Sequence, residues 1–144
     1  KVKLIYFSTN YVYAGTKGNY SEDDPVLPIN NYALSKFGGE CAVQMYKNSL
    51  ILRVCMCEKP FIHKEAFNDV ETNFMFHDDF AKNLLKLLDK NGIINIGGPK
   101  QTVFNFAKKN NPKVKPVKAK NKLGKKFPLK QSMNISKYLK IIKK

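Results

Sequence analysis

Tyr32 and Lys36, four residues apart in Tyr32-Ala33-Leu34-Ser35-Lys36, stand out for what they could do together. On a helix, side chains four apart lie one above the other on the same face. A free phenol has a pKa of about 10, too high to exchange protons readily at neutral pH. A neighbouring ammonium favours the phenolate and lowers that value, which makes the pair a candidate general acid/base. Ser8 or Thr9 would add a hydroxyl, so that a carbonyl or alcohol oxygen is held between two hydrogen-bonding groups. The spacing alone also describes an ordinary helix pair in a Lys-rich chain. The elements around it decide.

Val2 to Phe7 is an apolar, β-branched and aromatic run that predicts a buried strand ending in Ser8-Thr9-Asn10. Residues 14–31 read as loop, with Gly15, Gly18, Glu22-Asp23-Asp24, Pro25 and Pro28. Asn30 or Asn31 can cap a helix from about Tyr32 to Lys47, with Leu34, Phe37, Cys41 and Met45 as its apolar stripe. Leu50 to Met56 is a second buried-strand candidate. Strand, loop, helix, strand is a βαβ rhythm and favours a parallel sheet. Residues 58–77 read as irregular. A helix follows from Asp78 to about Asn91, with Phe80, Leu84, Leu87 and Leu88 inward, then a strand Ile93–Ile96. Val103 to Lys109 gives one or two helical turns, residues 108–126 an extended loop, and Ser136 to Ile142 a terminal helix.

The formal charge of +15 is unevenly spread. Residues 1–100 carry 12 basic and 11 acidic side chains, whereas residues 101–144 carry 14 Lys and no acid. Nine of the lysines fall within 108–126. Such a run could bind phosphates on a nucleic acid or an anionic surface with salt-dependent affinity. Arg53 is the only arginine, Trp is absent, and few aromatics stand among the lysines, so base readout and stacking platforms are poor. A solvated face fits better than a nucleic-acid or membrane partner. No apolar stretch is long enough to cross a membrane. The odd set Cys41, Cys55 and Cys57 has no disulfide-framework spacing, which points to a reduced, cytoplasmic compartment. Cys55-x-Cys57 with His63 and His77 matches no familiar zinc spacing, and no metal is expected.

The segments Phe7-Ser-Thr-Asn-Tyr-Val-Tyr-Ala-Gly-Thr-Lys-Gly18, Tyr20-Ser-Glu-Asp-Asp-Pro25 and Tyr32-Ala-Leu-Ser-Lys-Phe-Gly-Gly-Glu40 resemble the extended short-chain dehydrogenase/reductase superfamily. Within it they are most similar to the RmlD-like, dTDP-4-dehydrorhamnose reductase group. Leu52-Arg53, Asp78-Asp79-Phe-Ala81, Gly92 to Gly97, and Ser132 to Lys137 resemble later parts of the same pattern. The resemblance implies an α/β fold: the C-terminal part of a doubly wound Rossmann-type parallel sheet, with a small substrate-binding lobe. Residues 1–57 would be strand, catalytic helix and strand, and 58–144 the lobe with a returning helix and strand at 78–98.

The activity so implied is NADPH- or NADH-dependent reduction of a nucleotide-linked 4-keto-6-deoxy sugar. Tyr32 would donate the proton, and Lys36 would bind the nicotinamide ribose and tune Tyr32. Thr9, with Ser8 as its substitute, would hydrogen-bond the reacting oxygen. Glu40 would pack or pair beside the helix. Asn10, Ala14 and Ala33 stand where the group has Asp, Asp and Gly. No glycine-rich dinucleotide fingerprint follows a strand, because Pro99 makes Gly97-Gly98 a turn. The chain, opening on Lys1, is therefore expected to need an N-terminal dinucleotide-binding half of its own chain as partner, and to be inactive alone. Homodimerisation, as in some relatives, stays open. The alternatives are a non-catalytic binding or regulatory domain of the same family and the Lys-rich polyanion binder.

Overall fold

In a computed structural model, which describes residues 2–124 and 127–143, the sheet grows from three parallel strands. These are β1 (Leu4–Thr9), β2 (Ser49–Val54) and, later in the chain, β7 (Gly92–Ile96), in the order β1-β2-β7. Leu4 is in register with Ser49, and Leu50 with Gly92. β2 lies between its neighbours, and five of its six residues are buried. Alternation along the strands sorts two faces. Leu50, Leu52, Ile94 and Ile96 pack with Phe80, Leu87 and Tyr138. On the opposite face Tyr6 and Arg53 meet α1 (Asn31–Gln44). A parallel sheet covered by helices on both faces is the doubly wound α/β arrangement.

Asn30 caps α1, its side chain accepting the Ala33 N–H at 2.8 Å. The apolar stripe expected on this helix is not its buried face. Leu34 and Met45 are 58% and 87% exposed and Cys41 is exposed, whereas Ala33 and Glu40 are buried, with Phe37 half-buried. Glu40 can turn inward because Arg53 waits for it. Gly39 allows the close approach, since a Cβ there would run into the Tyr6 ring and hydroxyl.

β3 (Met56–Cys57), β4 (Glu65–Phe67), β5 (Glu71–Thr72) and β6 (Met75–Phe76) occupy the stretch expected to be irregular. The helix expected to reach Asn91 is α2 (His77–Leu84) followed by a 3-10 turn at Leu85–Leu87. After β7 come β8 (Gln101–Thr102), α3 (Val103–Lys108), β9 (Lys115–Val117), α4 (Ala119–Leu123) and α5 (Ser136–Ile142). The Lys-rich segment is therefore not one extended loop. β9 pairs with β4, and the Asp69 carboxylate accepts the Ala119 N–H at 2.7 Å to start α4. Lys125 and Lys126 of that segment lie outside the described residues. A second core, built on Phe61, Val70, Phe76, Val103 and Phe106, fills this lobe.

Candidate active site

β1 ends on Ser8 and Thr9, as expected from the polar residues that follow the apolar run. The C-terminal ends of parallel strands are where open α/β sheets bind ligands. Thr9 is 4% exposed and has extended backbone. Its hydroxyl oxygen accepts the Tyr11 N–H at 3.3 Å, starting the 3-10 turn Asn10–Val12, and it lies 3.4 Å from Asn10 Oδ1. Ser8 is 2% exposed, and its hydroxyl is buried without a hydrogen-bond partner among the described residues.

α1 packs against both β1 and this turn, which brings its first residues to the strand ends. Tyr32 is 56% exposed, and its ring meets Tyr11 edge-on, with centroids 6.4 Å apart and planes at 80°. Lys36 sits one turn on, with its ammonium 4.4 Å from the centre of the Tyr6 ring. Tyr6 in turn donates from its hydroxyl to the Lys36 carbonyl at 3.2 Å. The cation–π contact, worth about 0.5–1 kcal/mol at such a site, holds the ammonium on the sheet side of the helix. Tyr32 thus lies against Tyr11, two residues past Thr9, and Lys36 lies over Tyr6 of the same strand, while Thr9 and Ser8 are both buried at the strand end.

Beneath the turn opens a cavity of about 520 Å³. Phe61, Phe67, Phe74 and Phe127 line it, Asn10 and Tyr11 form its boundary with the strand ends, and Glu58, Lys64 and Lys122 contribute charge. Lys122 also pairs with Glu65. The motif reading did not single out Tyr11. It stands in the quoted Thr9-Asn10-Tyr11 segment, but its place beside the cavity depends on residues far along the chain. Burial pushes its phenol above the ordinary tyrosine range, with Cys55 and Tyr32 adding to the effect. Cys55 and Cys57, also at the cavity, are free thiols that burial pushes up to about 11.

Behind the strand end lies a buried polar network. Arg53 donates to both Glu40 carboxylate oxygens from Nε, at 2.9 and 3.3 Å, and from Nη2 to Oε2 at 2.7 Å. Its Nη1 donates to the Tyr13 hydroxyl at 2.8 Å, and that hydroxyl lies 2.9 Å from Asn95 Oδ1. Burial alone would lower the Arg53 pKa. The hydrogen bond to the Glu40 carboxylate and the Tyr13 oxygen outweigh burial and hold it above its usual value. The network ties α1 to β2 and β7, and so sets the depth at which Tyr32 and Lys36 are presented.

A glycine-rich cradle for a dinucleotide's phosphates finds no match among the described residues. Gly97 and Gly98 follow β7, but each packs its Cα against backbone: a Cβ would meet the carbonyls of Asn73 and Phe74 at 2.5 Å. Gly98 N–H donates to the Asn73 carbonyl at 2.7 Å. These glycines serve strand crossing and leave no phosphate cradle.

The parallel α/β sheet matches solved Rossmann-type reductases and dehydratases. Residues 1–67, just under half of the chain, match the family model described as the RmlD substrate binding domain. A dTDP-4-dehydrorhamnose reductase of Burkholderia thailandensis is 50% identical over 41 residues, 28% of this chain and 14% of that protein. Methionine adenosyltransferase 2 subunit beta of Rattus norvegicus is 48% identical over 40 residues, 28% of this chain and 12% of its own length. A solved dTDP-4-dehydrorhamnose reductase of Bacillus anthracis, in complex with NADP, is 24% identical with a TM-score of 0.81, covering 96% of this chain and 59% of that one. At that identity the likeness establishes the fold. The chain spans less than two thirds of the solved reductase.

Proposed function

We propose that the chain supplies the proton-transfer half of an NADPH- or NADH-dependent reduction of a nucleotide-linked 4-keto-6-deoxy sugar. The observation that carries this reading is the position of Tyr32 and Lys36, one helical turn apart, beside the strand end that bears Thr9. The Tyr32 hydroxyl donates its proton to the carbonyl oxygen as the ketone becomes an alcohol. Thr9 hydrogen-bonds the same oxygen, and Ser8 could substitute only by exposing its enclosed hydroxyl. Lys36 binds the nicotinamide ribose and biases Tyr32 toward proton transfer. The nicotinamide cofactor, when bound, supplies the hydride.

The nucleotide part of the substrate enters the aromatic cavity, and the sugar reaches past Tyr11 to Tyr32. The dinucleotide's phosphates need a further Rossmann half, which the edge of β1 would receive. Among the described residues that edge is unpaired, and Leu4 and Phe7 on the strand are each 40% exposed. No described helix is long and apolar enough to cross a membrane, and a cytoplasmic enzyme is the setting this reading assumes.

The test is reduction of a dTDP-linked 4-keto-6-deoxy sugar by NADPH and by NADH with the complete natural protein. Turnover with either supports the reading, and none with both removes it. The match to methionine adenosyltransferase 2 subunit beta favours a second reading, a family member that acts as a subunit of another enzyme. Nucleotide binding without turnover would select it.

A further inference from the structure

We propose that Tyr11 is the substrate-orienting residue of this site, its hydroxyl donating a hydrogen bond to the sugar while its ring braces Tyr32. The proposal rests on the reductase reading above and adds a residue that the motif leaves without a role. Three observations converge on Tyr11. Its backbone N–H is fixed by the Thr9 hydroxyl at 3.3 Å, so its position is locked to the end of β1. Its ring stands edge-on to Tyr32, a geometry in which the positive edge of one ring meets the negative face of the other. It also lines the cavity, which Tyr32 and Lys36 do not.

Tyr11 therefore occupies the passage between the volume that can hold a nucleotide and the group that protonates. With four phenylalanines around the cavity, a planar base is the part of the substrate that fits there. With the reacting carbonyl at Tyr32, the part lying against Tyr11 is the hexose. A hexose presents hydroxyls, and the Tyr11 hydroxyl has no hydrogen-bond partner among the described residues, so it is free to donate. Burial, with Cys55 and Tyr32 nearby, keeps that phenol protonated above the ordinary tyrosine range. The two tyrosines then divide the work: Tyr32 gives up its proton, and Tyr11 keeps its own and holds the sugar.

The experiment compares wild type, Tyr11→Phe and Tyr11→Leu in the complete natural protein. It measures reduction of a dTDP-linked 4-keto-6-deoxy sugar, calorimetric affinity for that sugar nucleotide and for dTDP alone, and the melting temperature. Tyr11→Phe should raise KM and Kd for the sugar nucleotide about tenfold, the size of one lost hydrogen bond to a polar group, with a smaller change in kcat. Affinity for dTDP alone and the melting temperature should stay as in wild type. Tyr11→Leu should in addition lower kcat, because Tyr32 loses its brace. Unchanged affinity for the sugar nucleotide in Tyr11→Phe overturns the proposal. So does a parallel loss for dTDP and in melting, which marks a structural role. If wild type does not turn over, the reductase reading fails by itself, and the Tyr11→Phe affinities for sugar nucleotide against dTDP still decide the role of Tyr11.

Discussion

Glu40 of α1 and Arg53 of β2 form a fully buried ion pair, 2.7 Å from Nη2 to Oε2, with side chains 0% and 3% exposed. Buried pairs of this kind are often no more stabilising than apolar residues of similar volume, since two charges leave water to form them. What this pair does is fix the helix that carries Tyr32 and Lys36 at one register against the sheet.

Removing one partner leaves the other charge uncompensated. Glu40→Ala is expected to lower unfolding free energy by about 3–5 kcal/mol. The double variant Glu40→Leu/Arg53→Met, of similar volume, should recover most of that loss and yet impair catalysis, because the register is no longer enforced. Urea denaturation of the three proteins checks it. A Glu40→Ala loss below about 1 kcal/mol, the range of exposed pairs, would show that water reaches the pair.

Gly38 and Gly39 make a paired prediction. Replacing an exposed helical glycine by alanine stabilises by about 0.5–1 kcal/mol. At Gly38 nothing lies within 4 Å of the new Cβ, and that gain is expected. At Gly39 the new methyl meets the Tyr6 ring, and Gly39→Ala should destabilise instead. Thermal melts of the two single variants should shift in opposite directions. Shifts of the same sign would contradict the packing of Tyr6 under the helix.

The thiols set an alkaline limit. Cys55 and Cys57 are raised in the folded chain to about 11 from an unfolded value near 9. The unfolded chain loses these protons first. The two thiols therefore contribute their full share to stability below about pH 9, and that share is lost as pH rises from 9 to 11. Cys55→Ala should flatten the decline over this window. Alkylation with iodoacetamide at pH 8 should label the exposed Cys41 well before the other two, because the thiolate is the reactive form. Equal labelling of all three would contradict the burial.

Much of this arrangement is legible in the sequence. Asn30 as cap, the strand ending Ser8-Thr9, and α5 from Ser136 to Ile142 all follow from local signals, because caps and apolar runs act over a few residues. The α1 stripe of Leu34, Cys41 and Met45 misleads because hydrophobicity alone assigns Glu40 to solvent. Its inward turn depends on Arg53, thirteen residues away on another element. The short strands β4 and β9 escape for a similar reason: Glu65 pairs with Lys115 across a long loop, and three-residue strands carry almost no period. Tyr32, Lys36 and Thr9 are visible as a motif, whereas Tyr11 becomes conspicuous only when lining residues between Cys55 and Phe74, with Val103, Lys122, Phe127 and Gln131, close the cavity beside it.

Lys36→Met retains the helix and the bulk of the side chain but removes the ammonium from the Tyr6 ring. The reductase reading expects a higher KM for the nicotinamide cofactor together with a lower kcat, as Lys36 both binds and tunes. A change in stability without either kinetic effect would assign Lys36 to packing alone. The pH profile of kcat should also move, which a packing role would not produce.

The decisive measurement is the rate of NADPH-dependent reduction of a dTDP-linked 4-keto-6-deoxy sugar by the complete protein carrying Tyr32→Phe, compared with wild type. Phenylalanine keeps the ring that meets Tyr11 and removes only the hydroxyl. The predicted result is a fall in kcat of about 10²–10⁴-fold, the usual contribution of a positioned general acid, with substrate affinity and melting temperature close to wild type. A Tyr32→Phe enzyme that turns over at the wild-type rate would contradict the assignment of proton transfer to Tyr32.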